Sequence, residues 1–449
     1  MTARLILCSV SAALAGFLFG FDTVVISGAE QTIQELWGLS PVAHGVAVSA
    51  ALWGTVLGSL AGGWPTDRFG RRKTLLAVGA LYFVSAVWSA AAGGPAGFML
   101  ARLLGGVGVG VSTVAAPLYI AEIAPPAYRG RLAGLFQFNI VFGIVAAFAS
   151  NAALLTLGEA GTLAEPWRWM PGVEAAPAVV YALACLALPE SPRWLLAARG
   201  DTAAARAALR SVRPRAADEL TAELAAVEGA AARAAGGDLG SGAGRFFTAG
   251  LRTPILLAVA VAAFNQLSGI NAVLYFAPRI FEAAGLGERS ALLQSVGIGM
   301  TNLVATFAGL WLIDRIGRRT LLLAGSVGYV ASLGLCSWAF FADRLNLVPA
   351  CVFAFIAAHA VGQGAVIWVF LSEIFPDRHR ASGQALGSFT HWFFAAALTL
   401  SFPTVADAVP PGAVFAFFCG MMVLHLARVL TMVPETRGRS FEAIARDLR

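Results

Sequence analysis

Apolar stretches long enough to cross a bilayer recur along almost the whole chain. A crossing takes about 20 such residues. No other feature restricts the fold as strongly, because backbone in hydrocarbon must satisfy its own hydrogen bonds and therefore coils into helices. Spans are expected near residues 5–28, 44–66, 74–93, 96–120, 131–153 and 170–188, then 253–281, 291–313, 320–341, 347–371, 383–404 and 412–432. That makes twelve. Glycine and proline inside them are no objection, since membrane helices tolerate both. Only 12% of the 449 residues are charged, against roughly 25% in ordinary soluble proteins, which argues against a large soluble enzyme.

The net charge of +6 is concentrated in alternate loops. Arg68 to Lys73, Arg129 and Arg131, the stretch from Arg193 to Arg252, Arg315 to Arg319, Arg378 and Arg380, and Arg437 to Arg449 carry most of it. The intervening loops hold chiefly Arg168, Arg289 and Arg344. This alternation follows the positive-inside rule, placing both termini and the long central loop in the cytoplasm. It leaves no reason to invoke nucleic acid. The opening MTARLILCSVSAALAG has the basic start and small-residue site of a signal peptide, but the apolar run continues to Ile26, so it reads as an uncleaved first span. Cys8, Cys185, Cys336, Cys351 and Cys419 lie in apolar segments without metal-ligand spacing and read as packed free thiols. With no phosphate-cradling loop and no nucleophile–base set, neither an enzyme nor a cofactor or metal site is expected.

The chain repeats itself at an offset of about 250 residues. DRFGRR at Asp67 returns as DRIGRR at Asp314, YIAEIAP at Tyr119 as FLSEIFP at Phe370, and PES at Pro189 as PET at Pro434. Gly20-Phe21-Asp22 aligns with Gly269-Ile270-Asn271. The repeats divide the chain into a six-span half over 1–190, a cytoplasmic helical segment and linker over 191–250, a second half over 251–435 and a tail over 436–449. Two parallel six-span repeats are a transporter architecture with the substrate site near the midplane. Asp67, Arg71, Glu122, Arg129 and Glu190, repeated as Asp314, Arg318, Glu373, Arg380 and Glu435, are expected to form a cytoplasmic gate of weak ion pairs, each worth about 0–1 kcal/mol. Between the halves, helical spacing around Ala203–Leu209 and Leu220–Val227 precedes the loose AAGGDLGSGAG.

One residue breaks the apolar pattern of the first span: Asp22. A carboxylate at that depth costs at least a few kcal/mol, so it must be compensated, neutral or useful. A static ion pair that fixes helix packing would meet the requirement, and so would a proton carrier.

The motifs FGFDTVVISG, ARLLGGVGVG, YIAEIAP, PESPRWL, QLSGINAVLYFAP, WVFLSEIFP and PETRG, with both DRxGRR loops, resemble those of the sugar porters of the major facilitator superfamily. That group contains bacterial sugar–proton symporters and facilitative glucose transporters. The resemblance implies the major facilitator fold, two pseudo-symmetric six-helix halves, in the cell (inner) membrane. It implies sugar contacts at Gln137, Gln266, Asn271, Asn302, Trp368 and Trp392, with Phe19 also at a pocket position. The chemistry agrees, since amides both donate and accept as sugar hydroxyls do, and a tryptophan face suits the apolar face of a pyranose. Two positions depart from the pattern. Asn265 stands where relatives have a glutamine, and His391 where they often have an amide; His391 is a proton-linked group or a packed imidazole.

Facilitators of this family generally carry asparagine at the Asp22 position, and the proton symporters aspartate. The resemblance pairs Asp22 with Arg102 and adds Glu174 as a second intramembrane acid. The expected function is proton-coupled monosaccharide uptake, of a hexose or pentose, by alternating access in a monomer. A facilitative sugar or polyol uniporter is the alternative, and a non-transporting sensor a further one.

Overall fold

The computed structural model describes residues 2–125, 128–213, 246–247, 251–376, 379–439 and 444. Twelve helices among them are long and apolar enough to span a membrane. The first six are α1 (Ala3–Gly28), α2 (Pro41–Ala61), α3 (Arg71–Ala91), α4 (Pro95–Ile123), α5 (Gly134–Glu159) and α6 (Pro166–Leu186). The second six are α7 (Arg252–Tyr275), α8 (Glu288–Ile316), α9 (Arg318–Phe341), α10 (Leu345–Glu373), α11 (Ser382–Ala408) and α12 (Pro411–Met432). Each overlaps one expected span. Their starts have local causes: Pro41, Pro95 and Pro411 open α2, α4 and α12, where a missing N–H costs nothing. Ser40 caps α2 by accepting from the Ala43 N–H. Gly70 and Gly317, both at φ +93°, turn the chain into α3 and α9, which explains the glycine in both DRxGRR loops.

The halves are built alike. In the first, α1 packs on α5, α2 on α4, and α3 on α4 and α6; in the second, α7 packs on α11, α8 on α10, and α9 on α10 and α12. Contacts between halves run chiefly through α2 with α11 and α5 with α8, two pairings that the repeat exchanges. Exposed apolar side chains such as Leu7, Leu183, Val304, Phe341 and Phe417 cover the outside, as lipid-facing surface does. Thr202–Val212 is helical, in line with the expected helix near Ala203–Leu209. The one expected near Leu220–Val227 and the linker AAGGDLGSGAG lie outside the described residues.

Because lipid is as apolar as leucine, membrane helices associate through close backbone packing at small residues. Gly54 and Gly58 on α2 face Gly106 and Gly110 on α4, and a Cβ on Gly106 would collide with the Ala51 carbonyl. Gly106→Ala is therefore expected to destabilise the protein by about 1–3 kcal/mol, the usual range for overpacking. Gly97, where an added Cβ meets only the tip of Trp88, is the control. Melting of the two purified variants against the parent checks this.

Candidate functional site

The polar centre begins at an interruption in α7. Its first part, Arg252–Leu267, ends at Ser268, Gly269 adopts φ +85°, and a short helix resumes at Ile270–Tyr275. Ser268 bridges the break, its hydroxyl donating to the Asn265 carbonyl and accepting from the Ile270 N–H. Here QLSGIN places both amides together. Gln266 Oε1 accepts from Asn271 Nδ2 at 2.8 Å, and Gln266 Nε2 donates to Asn265 Oδ1 at 2.9 Å. The same Nε2 lies 3.1 Å from His391 Nε2 on α11. Thus both positions that depart from the family pattern, Asn265 and His391, are bonded directly to the central glutamine.

Aromatic rings bound this cluster. His391 lies 5.1 Å from Trp368 and 4.8 Å from Trp392, centroid to centroid. Trp392 in turn meets Phe19 of α1 edge-on at 5.4 Å, so the wall is completed from the other half. Trp368 follows a π-helical turn in α10, Ala360–Gly364, a feature common where helices carry function. Asn302 is buried on α8, its Oδ1 accepting from Thr306 at 3.5 Å. Gln137 is half-buried on α5. These two stand on the facing helices of opposite halves and are not hydrogen-bonded to the Gln266 cluster.

Asp22 is buried in the first half. Arg102 Nη1 donates to Asp22 Oδ1 at 2.5 Å and Nη2 to the Asp22 carbonyl at 2.8 Å. Glu174 is buried in the same half, its Oε1 without a hydrogen-bond partner among the described residues. All three are 1% exposed. One guanidinium, bonded to Asp22, and two acids are thus buried in the interior of the first half. The short helix Ile270–Tyr275, which carries Asn271 near its start, packs against α1, the helix of Asp22. Helix α7 thus links the amide cluster to the helix of Asp22.

At the basic face the repeated charges form two matching clusters. Arg71 Nε and Nη2 donate to both oxygens of Glu122 at 2.9 Å, and Nη1 to Asp67 at 3.2 Å. Arg318 bonds Glu373 at 3.1 and 2.9 Å and Asp314 at 3.0 Å in the same way. Each of these pairs closes within its own half. Among the described residues, the arginine–glutamate pairs hold helices of one half together and bond no side chain of the other. Among the described residues Glu190 and Glu435 form no recorded ion pair with an arginine side chain; they accept from the backbone N–H groups of Arg71, Arg72, Arg318 and Arg319 and so cap the starts of α3 and α9. The side chain of Arg129 lies outside the described residues. Arg380 is exposed at the start of the helix Arg380–Ala408.

The opposite face holds a group that sequence reading did not single out. Arg279 Nε and Nη2 donate to both oxygens of Glu30 at 3.0 and 2.8 Å, and Nη2 also to Gln34 at 2.7 Å. His44 Nε2 stands 2.6 Å from Glu30. Gln31 donates to Glu282 at 3.0 Å. Glu30 and Gln34 belong to the first half and Arg279 to the second. One signal was available: Glu30 and Arg279 occupy the same position in the repeat that aligns Asp22 with Asn271.

Two parallel six-helix repeats around a polar, aromatic-walled centre define a membrane transporter of the major facilitator fold. The chain belongs to the family described as "Sugar (and other) transporter", whose model matches residues 8–448. It is 33% identical over 443 residues to the arabinose-proton symporter of Bacillus subtilis, covering 98% of this chain and 94% of that one. It is also 33% identical to the glucose transporter GlcP of Staphylococcus epidermidis, covering 100% and 98%. Among solved structures, it is similar to the xylose transporter XylE from E. coli in a partially occluded inward open conformation, at TM-score 0.85 and 30% identity over 98% of this chain and 100% of that one. Against the proton:xylose symporter XylE bound to 6-bromo-6-deoxy-D-glucose the TM-score is 0.79, at 30% identity over 100% and 99% of the two chains.

Proposed function

We propose that this protein carries a hexose or pentose across the inner membrane together with a proton, by rocking of the halves 1–190 and 251–435 about a central site. The observation that carries the coupling is the buried group of Asp22, Glu174 and Arg102. If both acids were ionised, the group would bury an uncompensated negative charge, which costs several kcal/mol. One proton for the two acids makes it neutral. Gaining or losing that proton changes which acid holds Arg102, and α7 links the same group to the amides that would bind the sugar. The relatives named as an arabinose-proton symporter and a proton:xylose symporter support the same reading.

Sugar hydroxyls would take over the bonds that Gln266, Asn271, Asn265 and His391 now make with one another, with Gln137 and Asn302 reached from the facing helices α5 and α8. Trp368, Trp392 and Phe19 would enclose the ring. The basic loops would face the cytoplasm, with both termini. The likeness is greater to the inward open form of XylE than to its sugar-bound form, which supports an inward-facing state here. Asp67, Arg71 and Glu122, with Asp314, Arg318 and Glu373, would then stiffen each half as it moves and present their exposed acids to the other half when the inner side closes.

Labelled xylose, arabinose, glucose and galactose offered to energised vesicles test the proposal. At least one sugar is expected to accumulate above the outside concentration, and an uncoupler to return it to equality. Uptake that stops at equality in both conditions supports the uniporter instead.

A further inference from the structure

We propose that Glu30 and Arg279 form the outer gate of the transporter, a charged latch that joins the halves in the inward-facing state and must part for the outside to open. The inference rests on the alternating-access reading above and adds to it the residues that hold the outside shut.

Three observations carry it. The pair crosses between halves, whereas the arginine pairs of the basic face close within one. It is two-pronged, Arg279 Nε and Nη2 meeting the two oxygens of Glu30, the geometry in which a guanidinium is most specific for a carboxylate. And its members are related by the repeat. Equivalent residues of two parallel halves meet only where they lie near the axis relating them, and two like residues meeting there would repel. Glutamate in one half and arginine in the other convert the meeting into an attraction.

The surroundings make the latch able to open. The Glu30 side chain is wholly buried, held from its own half by His44, which is also wholly buried. The Arg279 side chain is 29% exposed and lines a crevice with Gln34, Phe402, Asp407 and Phe415. Water therefore reaches the cation first. On parting, Arg279 moves into that water, while Glu30 keeps its hydrogen bond to His44. Gln31 with Glu282 and Gln34 with Arg279 add further bonds on either side.

The test uses a cysteine reporter at Ile280, which is 7% exposed and lines the same crevice. A membrane-impermeant thiol reagent is applied from outside, and sugar binding to each purified variant is measured alongside. Arg279→Gln and Glu30→Gln are each expected to raise the labelling rate tenfold or more, while sugar affinity stays within about threefold. Glu30→Arg combined with Arg279→Glu is expected to bring labelling back toward the parent. Arg279→Lys, which keeps the charge but loses the two-pronged contact, is expected to fall between and provides the reading should Arg279→Gln fail to fold. Labelling unchanged in variants that still bind sugar overturns the latch. Absence of sugar binding in the parent itself would instead strike at the transport reading, and the labelling result would still decide whether the pair closes this face.

Discussion

Asp22→Asn is expected to abolish sugar accumulation while sugar-for-sugar exchange continues at a rate near that of the parent. A proton entering down 100 mV supplies about 2.3 kcal/mol, and at about 1.4 kcal/mol per tenfold that supports roughly fifty-fold accumulation. The whole of this gradient is at stake in one side chain. With asparagine at 22, Glu174 remains as the sole acid facing Arg102. The group is then neutral when Glu174 is ionised, so it has no further need of a proton and no means of passing one on with each cycle. Nothing in that change strands a buried charge, so the helices still pack and rock. The measurement is uptake in energised vesicles beside counterflow in vesicles preloaded with sugar. If the variant still concentrates sugar, Asp22 is a packing residue and the coupling lies with Glu174 or His391. If both uptake and counterflow vanish, the group serves structure and not coupling.

Gln266→Ala is expected to weaken sugar binding by ten- to a hundred-fold, about 1.4–2.8 kcal/mol. The effect exceeds that of a single hydrogen bond, about 0.5–1.5 kcal/mol, because Gln266 is the hub of its cluster. It contacts Asn265, Asn271 and His391 at once. Its removal leaves these groups without the partner that orients them, and a misplaced amide presents the wrong edge to a hydroxyl. Asn271→Ala, which removes a donor at the end of the cluster, is expected to cost less than Gln266→Ala. Calorimetry on purified protein provides the affinities, and melting of the same samples checks that the fold survives. Unchanged affinity in Gln266→Ala would take the α7 amides out of the sugar site.

Much of this was legible in the residues. Asp22 stands out as the lone charge in the first apolar span, while its pairing with Arg102 is what the resemblance to the sugar porters implies. Gln266 and Asn271 are reached through the resemblance that QLSGINAVLYFAP carries, with the donor-and-acceptor chemistry of amides in agreement. Glu122 and Glu373 could be placed in one gate with Arg71 and Arg318 because the repeat writes the same residues twice. What the residues left open was how those pairs close. Glu190 and Glu435 also lie beside arginines in the loops, yet they bond backbone N–H groups, and only the turn at Gly70 and Gly317 brings those N–H groups to them.

The sequence by itself determined twelve helices, their division into two repeats, and the kinds of side chain held in the interior. These depend on hydropathy summed over neighbouring residues and on internal likeness, both properties of the chain read along its length. Only the tertiary structure decided which charged residues meet. Glu30 and Arg279 lie 249 positions apart, and whether they touch depends on the angle at which one half is set against the other. Gly45 against the Leu400 carbonyl, Gly299 against Val145 and Phe19 against Trp392 pack between the halves and set that angle. A pairing that depends on it has no signature along the chain beyond two charges at equivalent places.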